Sequence, residues 1–185
     1  MADRYDTSAA LPVPPEGPVH PCSRVPLASI ENSILIQAAA YWKRLSAGRR
    51  FPARTDVTPR ELANLMRYTA LLKVIDGGAD YEYRVVGDAY VMAHGVSFQG
   101  KRWSDIGLFS PRFHRMVKPT YDSVVETGEP LATRGWISRA SGSGEQIYSE
   151  CIYLPLGKDE TTVDHLLIFA VYTPHDTHDR SNLSA

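Results

Sequence analysis

This chain has little of several things, and each scarcity excludes something. Two cysteines, Cys22 and Cys151, stand in 185 residues. One lies in a proline-rich head and the other in a strand-like run. No disulfide framework or metal motif is written there, and two free thiols in a reducing compartment are expected. No apolar run reaches the roughly 18 residues a membrane-spanning helix needs. The opening MADRYDTSAALPVPPEGP has no basic start followed by an apolar stretch, so no secretory signal is expected and the cytoplasm is the default location. Charge of one sign is missing as well. A net charge of -1 argues against a global field for nucleic acid or an anionic membrane. Catalytic signatures are absent too. No Gly-x-Ser-x-Gly elbow occurs, and Gly77-Gly78 is too short for a phosphate loop.

What is present is an ordinary globular balance, 43% hydrophobic and 22% charged, which can build one core without a staple. Pro12, Pro14, Pro15, Pro18, Pro21 and Pro26 mark residues 1–27 as a disordered tail, of which Pro12 and Pro15 fit a PxxP ligand. Residues 174–185 form a second polar tail. His175 and His178 within it have metal-ligand spacing but no supporting shell, so no metal site is assigned. One domain over 28–173 remains.

Within it, Ile30, Ile34, Ala38, Tyr41 and Leu45 recur at helical spacing and predict a helix over 30–47, capped by Ser29 and ended by Gly48. Thr58-Pro59-Arg60-Glu61 has the chemistry of a helix start, so a short helix to about Met66 is expected. Runs over 68–75 and 81–86, joined by Asp76-Gly77-Gly78-Ala79, read as a β-hairpin. Broken helical turns follow from Asp88. A longer helix then begins with Ser110 as cap and Pro111 at its first turn, and carries a stripe of Phe113, Val117, Thr120 and Val124. Pro119 inside it predicts a kink or a restart. Three closing strands, 131–139, 146–154 and 165–172, complete a five-stranded antiparallel sheet. Short helices cover one face, giving an α+β layer arrangement.

Motifs add to this order. YWKRLSAGRRFPARTDVTP (41–59), LLKVI (71–75), DYEYRVVGDAYVMAHGVSFQGKRWSDI (80–106), TGEPLATRG (127–135) and IYLPLG (152–157) together resemble an alphaproteobacterial family of stand-alone PAS-like proteins. The resemblance spans about 41–172. Met66-Arg67 departs from it where a Leu-Pro pair is expected, and Asp88 where Thr is usual. It implies a PAS fold with a ligand cavity between sheet and short helices, and sensing or protein interaction by homodimers. With no output domain on the chain, the signal would pass to a separate partner protein.

The candidate lining of that cavity is Arg84, Tyr90, His94, Trp103, Phe113, Val117, Tyr121, Tyr148 and Glu150. If Arg84 and Glu150 point inward they form a charge pair able to orient a polar ligand; if outward they are ordinary solvated strand residues. Tyr148, Glu150 and Ile152 share one strand face, so their fates are linked. The resemblance also raises haem ligation by His114 or His94, because some PAS sensors use a histidine of the long helix. Light-sensing relatives carry an Asn-Cys-Arg motif on a helix; here no cysteine lies near Val91–His94. No cofactor and no catalytic residue are assigned. Two other readings stay open: a small isomerase- or hydrolase-type enzyme using Glu150, Arg84 or His94, and a ligand-free adaptor. Lys43, Arg44, Arg49, Arg50, Arg54 and Arg60 make a basic patch without a nucleic-acid motif, read as a solvated face. The first helix is the expected homodimer surface.

Overall fold

The fold was described from a computed structural model covering residues 22–141 and 145–173. The PxxP segment, the Gly142–Gly144 loop and the His175–His178 pair lie outside the described residues.

Apolar alternation and turn chemistry place the strands where expected. β1 is Ser23–Val25, β2 Thr69–Ile75, β3 Asp80–Val86, β4 Leu131–Ser138, β5 Gln146–Leu156 and β6 His165–Thr173. They form one antiparallel sheet in the order β1-β4-β5-β6-β2-β3. Among the described residues the sheet therefore has six strands, where five were expected. β1 falls inside the segment expected to be a tail: three residues between prolines pair with Ala132–Arg134 and cover the β4 edge. The β2–β3 hairpin turns at Asp76-Gly77-Gly78, where Gly77 and Gly78 supply positive φ at no Cβ cost.

Among the described residues four α-helices accompany the sheet: α1 Ser33–Ser46, α2 Asp88–His94, α3 Trp103–Phe109 and α4 Pro111–Thr127. α1 starts later than the spacing suggested. Asn32, not Ser29, accepts the Ile34 amide, while Ser29 closes a preceding 3₁₀ turn onto the Pro26 carbonyl. Its end is a left-handed Ala47 followed by the positive-φ Gly48. The short α-helix expected from Thr58 to Met66 does not form. Thr58 does meet Glu61 at 3.3 Å, but residues 59–65 are successive turns that end in a 3₁₀ turn at Met66–Tyr68. Leu62 and Leu65 are buried there, so packing rather than propensity sets this backbone. α4 neither restarts nor breaks at Pro119, and Ser110 makes no side-chain cap. Its buried stripe is Phe113, Val117, Tyr121 and Val124; Tyr121 takes the place expected for Thr120.

Two apolar layers sandwich the sheet. On one face, α2, α3 and α4 pack on Leu72, Tyr81, Tyr83, Cys151, Tyr153, Leu166 and Ile168. On the other, α1 packs its Leu35, Ala38 and Tyr41 on Leu71, Ile152, Leu154, Leu167 and Phe169. Trp42 fastens α1 by donating to the Pro155 carbonyl at 2.8 Å. Each fully buried Leu or Phe in these layers contributes about 1.5–3 kcal/mol.

Candidate ligand-binding site

The space between the sheet and α2–α4 is occupied by aromatic side chains. Trp103 is fully buried, with ring centroids 5.0 Å from Tyr121 and 5.5 Å from Phe113. Phe98 stacks on Phe113 at 5.9 Å. The Tyr83 and Tyr121 hydroxyls meet at 2.8 Å. Burial raises both phenols above their ordinary pKa, so they stay neutral, as do Tyr90, Tyr153 and Tyr172. Of the expected lining, Tyr90, His94, Trp103, Phe113, Val117 and Tyr121 are thus brought together, but as a packed core. The Trp103 Nε1 and the Tyr90 hydroxyl are buried without hydrogen-bonding geometry to any described residue, although Tyr90 lies close to Tyr172.

His94 is the polar centre of this layer. α2 ends on it because Gly95 takes the left-handed conformation. Its Nδ1 accepts the Ala140 amide at 3.3 Å, which leaves the proton on Nε2, 3.2 Å from the Tyr172 hydroxyl. Burial, helped by the charge of Arg139, pushes the imidazole down to about 3. Both ring nitrogens are engaged and the ring is enclosed by Phe98, Phe113 and Tyr172, so these residues do not fit haem ligation by His94. His114 lies outside this layer. It stacks on Trp103 at 5.1 Å in an open groove of about 400 Å³ that also carries Asp80, Arg115 and Lys118.

Arg84, Tyr148 and Glu150 are not brought to the helical layer. Arg84 is the extra residue of a β-bulge, because Leu71 pairs with Val85 and Leu72 with Tyr83. It is exposed and pairs with Glu82 at 2.6 Å, while the Gln99 side chain accepts the Val86 amide and donates to the Arg84 carbonyl across the bulge. Glu150 and Tyr148 share the parity of Ile152, which faces α1. Glu150 meets Arg134 at 3.2 Å, and Arg134 also holds the Ser29 carbonyl at 3.1 Å. The strand-parity argument linking these residues holds, and it carries them to the face opposite His94. Three candidates for acid–base work therefore lie on two sides of one sheet.

The basic patch is largely partnered. Arg44 meets Glu61, Arg49 meets Asp56 at 2.6 Å, Arg50 donates to the Thr127 carbonyl, and Arg54 donates to the Val57 carbonyl. Two residues that the sequence did not offer as site candidates, Arg67 and Arg139, flank a groove of about 330 Å³ between α2 and the ends of β5 and β6. Arg139 looked like the end of a strand, and only the fold sets it beside α2. Among the described residues no three His, Cys, Asp or Glu side chains converge on a metal site, and no helix is long and apolar enough to cross a membrane.

Two solved structures align with this chain at low identity. One, described as an RNA-binding light-oxygen-voltage receptor, superposes with a TM-score of 0.48 at 15% identity and covers 85% of this chain. This chain spans 40% of that one. The other, from work on a flavin analogue in a light-oxygen-voltage domain, gives 0.44 at 13% identity, covering 63% of this chain and 84% of its own. No curated protein matches. The model of the PAS domain family matches residues 30–169, the stretch that runs from just before α1 into β6, and the chain belongs to that family.

Proposed function

We propose that this chain is a PAS sensory and protein-interaction module, non-catalytic and homodimeric, that signals through a separate partner protein. The observation that carries this reading is the outer surface of α1. The helix uses Leu35, Ala38 and Tyr41 to pack on the sheet, yet Ile36 stays 50% exposed. Beside it an apolar groove of about 330 Å³ runs along Leu27, Ala28, Ile30 and Ala39. A helix that has already satisfied its own domain and still presents apolar surface is suited to a second copy. The filled aromatic layer supports interaction over catalysis, since its one buried histidine is held neutral and bonded at both nitrogens. On this reading the chain folds as a domain over 28–173, extended by β1, with the two ends as tails and the cytoplasm as its location.

Light scattering of the purified chain tests the dimer. The expected result is a dimer at micromolar concentration that Ile36→Asp converts to monomer without lowering the melting temperature. A monomer at high concentration in the unaltered chain overturns this part of the reading.

A further inference from the structure

We propose that the groove between α2 and the ends of β5 and β6 binds a small monocarboxylate with an apolar body. The groove is distinct from the aromatic layer and lies at its margin. Ala89 and Ala93, one turn apart on α2, form one wall, and Ile147 and Tyr172 form the other, with Val171 at its rim. Short alanines on the helix side leave the room that larger residues would fill. About 330 Å³ falls at the low end of small-molecule sites.

Charge sets the chemistry of the ligand. The lining holds two guanidinium groups, Arg67 and Arg139, and no carboxylate. Both have weak partners outside the groove. Arg67 is 3.7 Å from Asp88, with both side chains more than half exposed. Arg139 is 3.4 Å from Glu145, whose side chain is 63% exposed. That contact lacks hydrogen-bond alignment, and the Arg139 Nε is buried without an acceptor. A guanidinium that lines an apolar groove and has only an exposed, poorly aligned carboxylate as partner is complemented by an anionic oxygen. The apolar walls then ask for a hydrocarbon or aromatic body. Tyr172 lines the same groove and its hydroxyl oxygen accepts a hydrogen bond from the His94 Nε2–H, so an occupant would touch the polar centre of the core.

The inference gives the sensory reading a ligand class and rests on that reading only for its biological use. The test is a titration of ¹⁵N-labelled chain with phenylacetate and octanoate, set against phenylacetamide and octanamide. The expected result is saturable shifts at the amides of Ala89, Ala93, Arg139 and Ile147, with the neutral amides at least about tenfold weaker. Arg139→Gln should weaken the carboxylates to the level of the amides. Ala93→Trp, which fills the groove, should abolish binding while the rest of the spectrum stays folded. No saturable shift with either carboxylate overturns the site. Equal binding of acids and amides, or shifts that map to the His114 groove, overturns the assignment of carboxylate recognition to Arg67 and Arg139. Binding should persist in Ile36→Asp, so failure of the dimer and failure of the site are separate results.

Discussion

Protonation of His94 should make this fold lose stability on mild acidification, and the loss should vanish when the imidazole is removed. In the folded chain the group is pushed down to about 3 by burial and by Arg139, against an ordinary value of 6.5. Between those values the unfolded chain binds a proton that the folded chain refuses. A depressed histidine is the reverse of a salt-bridged one: the folded state is penalised as pH falls through 6.5, and the penalty grows until about 3. From about pH 7 to about pH 5 this amounts to roughly 2 kcal/mol, a large share of the stability of one domain. Asp56 and Asp80 are held below the usual carboxylate range. For Asp56 the Arg49 hydrogen bond is the main cause; for Asp80 burial works upward and the Ser104 and Tyr81 bonds outweigh it. Their stabilisation is present above that range and fades at lower pH, so it overlaps the lower end of the His94 window. The comparison chain is therefore His94→Asn, which keeps an acceptor for the Ala140 amide and cannot titrate. Urea unfolding of both chains at several pH values measures the difference. Parallel pH profiles would refute the reasoning, because they would mean that the imidazole charges in the fold as it does in water. Nitrogen chemical shifts give an independent reading, with an Nε2–H tautomer persisting to about pH 5.

Three further outcomes follow from the packing. Gly87→Ala should lower stability by about 1–3 kcal/mol in thermal melts, because an added Cβ would fall far inside van der Waals contact with the Met66 and Arg67 carbonyl oxygens. Trp103→Ala should cost about 3–5 kcal/mol. Trp103→Phe should cost much less, since the indole N–H it removes has no described partner. Toward a thiol reagent at neutral pH, Cys151 should stay unreacted until the chain unfolds, because burial pushes its thiol up to about 12. Cys22, which is only partly buried, should react slowly in the native state, and two equal fast rates would contradict the placement of Cys151.

Elements governed by local chemistry were legible in the sequence. The β2–β3 hairpin follows from two β-branched runs and a Gly-Gly turn, and α4 from Pro111 and an apolar stripe. Elements governed by distant partners were not. Arg84 reads as one more alternating strand residue, but the bulge that turns it to solvent is completed by Gln99, from the loop after α2. β1 is three residues among prolines and exists only because β4 offers an edge. The turns after Thr58 have a good helix start and lose to the burial of Leu62 and Leu65.

The candidate site divides along the same line. Sequence alternation correctly tied Tyr148 and Glu150 to Ile152, yet it could not say which face of the sheet that group takes, because a sheet with helices on both sides is apolar on both. Nor could it separate a cavity from a core, since both are lined by the same aromatic residues. What separates them here is that aromatic rings fill the space between the sheet and the helices, and most of their polar atoms bond to one another. Tyr83 and Tyr121 bond to each other, and His94 is bonded at both nitrogens. Trp103 Nε1 and the Tyr90 hydroxyl have no described partner, yet packed rings leave no room for a ligand beside them, whereas at the margin Arg139 lines an open groove with only an exposed carboxylate, 3.4 Å away, as its ion-pair partner. The functional reading thus moves from the centre of the helical layer, where composition pointed, to its edge beside α2.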